Sequence, residues 1–170
     1  MPKFMETPAA LEFTDGGETI RVRIAHYDSV RIIHIGDAED PETQPPSYTG
    51  YTVGHWEGNE LVVTTTRINF PYMDIRGTPQ SDAVETLERF TVSEDQARLN
   101  YRLTVTDPVT LREPAVEERL WLALGEDVPP PYYQQNCERI HRSRRECSTL
   151  THAHRARTIR GRRAAPATPI

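Results

Sequence analysis

GYTVGHWEGNELVVTTT, residues 50–66, decides how the rest of the chain is read. Thr52 to Glu57 is an extended run, Gly58-Asn59 offers the positive-φ positions of a tight hairpin turn, and Glu60 to Thr66 is aliphatic and Thr-rich. Two strands joined by a two-residue turn are therefore expected here. Within the first, His55 and Glu57 share one face and Trp56 points to the other.

The same period of two recurs on both sides. Ile20, Val22 and Ile24 alternate with Arg21 and Arg23, and Leu99, Tyr101, Leu103 and Val105 alternate with Asn100, Arg102, Thr104 and Thr106. Alternation of this kind describes strands with one buried and one wet face, as in antiparallel sheets. Asp15-Gly16-Gly17 and Glu94-Asp95-Gln96 punctuate the runs as turns, and Asp107-Pro108 ends one. Residues 115–124 fit either period; Pro114 permits both, and a closing strand is the favoured reading.

Short connections make consecutive strands neighbours. Two Pro- and Gly-rich loops, 36–50 and 69–81, are too irregular to be strands and belong at the ends of the sheet. The expected fold is all-β: an antiparallel meander of about eight strands forming a barrel-like or strongly curved sheet, followed by an Arg-rich extension. An eight-stranded barrel is wide enough to be filled by side chains or to hold one small ligand.

The chain has 170 residues, room for one ordinary core. It divides into residues 1–127 as the β domain, 128–137 as a Pro-rich linker and 138–170 as a basic tail. The tail carries nine arginines against two acids, net +7, while the remainder carries eleven basic residues against 23 acids, net −12. Arg139, Arg142, Arg144, Arg145, Arg155 and Arg157 are candidate partner-binding residues, suited to an acidic protein surface by bidentate pairing. Nucleic acid is not the expected partner, because the tail lacks aromatic side chains for base stacking. Cys137 and Cys147 leave a local disulfide and two thiols both open. No apolar run reaches membrane-spanning length, and the first residues do not read as an export signal.

Gly54-His55-Trp56-Glu57-Gly58 with Leu61-Val62-Val63 resembles the GHWEGDTLVV signature of a group of bacterial proteins, mostly exported, for which no activity is established. The likeness extends through Pro46-Ser47-Tyr48, Gly50-Tyr51, Gly77, Pro79, Ser81, Glu88-Arg89-Phe90 and Thr104-Val105-Thr106-Asp107-Pro108. Where relatives read Pro-His-Ser-Glu-x-Leu-His, this chain has Gln80 and Glu85 in place of both histidines. The resemblance implies an exported, periplasmic setting but supplies no activity.

The residues themselves allow two functional classes. One is a non-enzymatic module, either binding a small apolar ligand or serving as an accessory subunit docked onto a larger assembly through its basic tail. Its ligand pocket would comprise Trp56, Tyr51, Phe90, Tyr101 and Trp121, with Tyr48 and Tyr72 from the long loops at the mouth. The other is a lyase or isomerase in which His55 and Glu57, with Glu88 nearby, move protons. A hairpin turning at Asp28-Ser29 would bring His26 near His34, a pair able to bind metal with His55 or Glu88, but polar decoration is the preferred reading; no metal or cofactor is expected. Walker, dinucleotide-binding, HExxH and nucleophile-elbow motifs are absent from the sequence.

Overall fold

The computed structural model describes Met5 and residues 9–25, 29–36 and 38–124. Within them eight strands follow one another in chain order across one sheet: β1 (Leu11–Asp15), β2 (Thr19–Ile24), β3 (Ser29–Ile35), β4 (Tyr51–Glu57), β5 (Glu60–Thr66), β6 (Glu85–Val92), β7 (Arg98–Thr106) and β8 (Ala115–Leu122). The sheet curls into a half-barrel, as the alternation and turn spacing predict. Its curvature carries Phe13 of β1 onto Phe90 of β6, with ring centroids 5.7 Å apart. The Trp121 indole on β8 donates to the carbonyl of Ala9, just before β1, at 3.0 Å.

One pairing departs from an all-antiparallel meander. β3 and β4 run parallel, in register only at His34–Val53 and Ile35–Gly54. Residues 36–50 make this geometry available, because a parallel return needs a connection of about a dozen residues or more, which a tight turn cannot supply. Gly54 lets the two strands approach: a Cβ there would lie 2.7 Å from Ile33 Cγ2 and 3.0 Å from Ile35 Cδ1.

Three hairpins, β1–β2, β4–β5 and β6–β7, fall where the turn chemistry places them. Gly17 and Gly58 adopt positive φ, and the Gly17 amide donates to Asp15 Oδ1 at 2.8 Å. In the third turn Gln96 takes the left-handed conformation, and the Ser93 amide reaches the carbonyl of Arg98 at 2.9 Å. The β2–β3 hairpin is set differently from its expected centre at Asp28-Ser29. Ile24 pairs with Ser29 and Thr19 with His34, so the residue across from His34 is Thr19; His26 lies outside the described residues.

Register assigns each strand an inner and an outer face. Ile20, Val22 and Ile24 of β2, Ile33 of β3, Leu61 and Val63 of β5, Phe90 of β6 and Tyr101, Leu103 and Val105 of β7 form the inner core, joined by Met5, Ile68 and Val84 from outside the strands. Each large aliphatic side chain removed from water here contributes about 1.5–3 kcal/mol. Among the described residues no helix is long and apolar enough to cross a membrane. The linker at 128–137, both cysteines and the tail arginines lie outside the described residues.

Candidate functional site

The largest polar constellation of the interior is one the sequence reading did not assemble. Arg31 of β3 extends across the inner face and makes a two-pronged pair with Glu88 of β6: Nη1 donates to Oε1 at 2.9 Å and Nη2 to Oε2. Nη2 also donates to Thr65 Oγ1 at 2.8 Å, and Nε to Thr52 Oγ1 at 3.4 Å. The two threonine hydroxyls lie 3.1 Å apart, and the Tyr101 hydroxyl donates to Glu88 Oε1 at 2.9 Å. All five residues are buried.

Register explains why these side chains meet. Thr52 faces Thr65 on β4 and β5, while Val63 faces Glu88 and Phe90 faces Tyr101 on β5 to β7. Gly54, level with Val63, adds no side chain to the path. Burial would lower the Arg31 pKa, but the charge and hydrogen bonds of Glu88 more than offset it and the net direction is up. Burial, reinforced by the Glu88 charge, drives the Tyr101 phenol upward, so Tyr101 acts as a neutral donor. The network is closed upon itself, with carboxylate, guanidinium and phenol each bonded within it.

A second polar group occupies the outer face of the same strands. His55 Nε2 lies 3.2 Å from Glu57 Oε1; Arg89 Nη1 donates to Glu57 Oε2 at 3.0 Å and to Glu60 Oε2; and Thr91 donates to Glu60 Oε1 at 3.1 Å. Hydrogen bonds from Arg89 first, then from His55, lower the Glu57 pKa. Beside this chain is a shallow depression of about 270 Å³ whose lining includes Glu60, Arg89, Arg102 and Glu118. Carboxylates and guanidiniums offset one another along it.

The proposed acid–base trio is therefore split. His55 and Glu57 are together on the outer face, whereas Glu88 points inward and is bound by Arg31. A strand alternates its side chains, so Glu88 and its neighbour Arg89 cannot serve one site. Among the described residues no three His, Cys, Asp or Glu side chains are grouped to hold a metal ion, and His34 stacks on Tyr51 with centroids 4.9 Å apart.

The seven aromatic residues expected to line one pocket fall into four places. Phe90, Tyr101 and Trp121 form a continuous inner cluster, with centroids 4.9 and 5.4 Å apart. Tyr51 is on the outer face against His34. Trp56 was expected to line the inner surface, but it is 48% exposed, because β4 continues beyond the last residue of β3 with which it pairs. Tyr48 and Tyr72 flank Phe70 on the long loops, each edge-to-face with it at 5.8 and 6.2 Å.

Those loops are tightly bonded. Ser47 bridges to Ile68 in backbone register, Ser47 Oγ donates to the Gly50 carbonyl at 3.1 Å, and Arg67 Nε donates to the Gln44 carbonyl at 3.0 Å. Asp74 accepts from the amides of Arg76 and Thr78 and from the Thr78 hydroxyl; the hydroxyl bond leads the causes that lower its pKa. Asp107, buried at the end of β7, accepts from Ser81 N and Oγ at 2.7 Å each and from the amides of Val109 and Thr110. Burial would raise its pKa, but these bonds outweigh it and hold the carboxyl at about 2.

No protein-family model matches the chain, and no curated protein matches it.

Proposed function

We propose that the protein is a non-enzymatic half-barrel module that acts as an accessory subunit, docking onto a larger protein assembly through its loop end and the basic segment 138–170. The observation carrying this reading is the pair Tyr48 and Tyr72, 69% and 45% exposed on loops that hydrogen bonds already hold in place. Aromatic side chains presented on a preorganised backbone lose little freedom when a partner covers them, and such residues dominate interface energetics. The inner face supports the same choice over a small apolar ligand, since its described centre is occupied by the core and by a self-satisfied ion pair. Nine arginines in 138–170 suit an acidic protein surface.

Kinship with the GHWEGDTLVV proteins belongs to this proposal. It is supported by the way the quoted residues cooperate: Glu57 of the first segment meets Arg89 of the Glu-Arg-Phe triplet, Ser81 meets Asp107, and Gly54 allows the β3–β4 approach.

The test compares the full chain with its Tyr48→Ala/Tyr72→Ala variant by in-cell cross-linking and mass spectrometry in the source organism. One protein partner is expected to be captured by the wild type and lost from the variant at unchanged melting temperature. An identical partner set for both, or a stoichiometric small molecule released when the purified protein is denatured, would overturn the reading.

A further inference from the structure

β8 is the edge of the sheet, and its far side carries no strand among the described residues. It is eight residues long with no proline inside it, and its outer-facing Val116, Leu120 and Leu122 are 52%, 55% and 69% exposed. A regular apolar edge invites another strand unless charge or a bulge prevents it. The opposite edge, β1, is five residues long and ends in Asp15.

The sequence of β8 indicates what fits there. Val116-Glu117-Glu118-Arg119-Leu120 is self-complementary when two copies run antiparallel about a two-fold axis through Glu118. In that register Glu117 of each copy faces Arg119 of the other, and Val116 faces Leu120, each pairing occurring twice. On the inner side, Glu117 and Arg119 already bond to each other within one chain, so the two copies would complete a quartet of alternating charge. On the outer side, Glu118 meets its own symmetry mate, and Arg102, 3.3 Å from it in each copy, supplies the compensating cation. Opposite charges and apolar pairs directly across antiparallel strands stabilise the pairing, and the two-fold axis repeats each of these off-axis pairs.

We propose that β8 is a homodimerisation edge, at which a second copy of this chain adds antiparallel in the register centred on Glu118 to make one continuous sheet. This goes beyond accessory docking and does not depend on it, because Tyr48 and Tyr72 lie on the connections outside β8. The alternative occupant, the chain's own segment after residue 124, would cover the edge without a second copy.

Light scattering of the eluting full chain over a concentration series tests the proposal. The wild type is expected to approach twice the chain mass as concentration rises. Leu120→Lys, Glu117→Arg and Arg119→Glu should each shift the transition to higher concentration by tenfold or more, about 1.4 kcal/mol in association. The charge-swapped double variant Glu117→Arg/Arg119→Glu should restore dimerisation, because the quartet is rebuilt with its signs exchanged. Far-UV circular dichroism and melting temperature establish that each variant is folded. A wild type that remains monomeric throughout, single swaps that dimerise as well as it does, or a double swap no better than the singles would each overturn the proposal.

Discussion

Arg31–Glu88 and Arg89–Glu57 use the same two kinds of charge on opposite faces of one sheet, and Glu88 and Arg89 are consecutive residues. The inner pair is 1% exposed on both sides and has threonine and tyrosine hydroxyls around it; the outer pair stands in solvent, shared with His55 and Glu60. Water makes the difference. Outside, salt and solvent weaken the attraction and little is lost if the partners separate. Inside, each charge has left its hydration shell, and separation would leave it uncompensated.

The largest effect expected is therefore at the inner pair. Glu88→Ala should lower unfolding stability by about 3–5 kcal/mol in urea, since it leaves a buried guanidinium unpaired. The paired replacement Arg31→Met/Glu88→Leu should recover most of that loss. If Glu88→Ala costs no more than an exposed substitution, the inner network is not what holds these strands together.

Asp107 gives the intermediate case, buried like Glu88 but bonded to neutral donors. Its carboxyl sits at about 2 against an ordinary 3.8, so the unfolded chain takes up the proton first as pH falls. The difference corresponds to about 2 kcal/mol, fully present above about pH 4 and lost as pH falls through about 2. Asp107→Asn should thus lower the melting temperature by a constant amount from neutrality to about pH 5, and the gap should narrow below pH 4. A gap independent of pH would assign its cost to shape instead of charge.

The outer chain should respond least. Glu57→Gln is expected to produce a small fall in melting temperature that disappears in about 1 M salt, where the screening length shrinks to about 3 Å. A loss that survives such salt would mean the outer chain is shielded much as the inner pair is.

These faces also differed in how readily the sequence disclosed them. Strand alternation and turn residues made β1 to β8 legible, including the ambiguous closing strand, because each depends on near neighbours. The parallel β3–β4 pair was not, since a long loop can return a chain in either direction. Glu88 was drawn toward His55 and Glu57 by its chemistry, although it shares parity with Thr86 and Phe90, and Arg31 shares parity with Ile33 and Ile35. Parity with apolar residues was the available signal, but pairing the two charges required knowing which strands lie across the curl. Trp56 has the inner parity expected of it, opposite Leu61, and its exposure, which the sequence did not disclose, follows from where β3 stops.

The short β3–β4 junction gives the Arg31 clasp a mechanical meaning. β1 to β3 form one hydrogen-bonded leaf and β4 to β8 another, and the backbone stitches them at two consecutive residues. Arg31, anchored in the first leaf, grips Glu88 on the third strand of the second, so it works as a rivet passed over the joint. Unfolding that begins by peeling away the first leaf must extract that rivet before the remaining stitches yield.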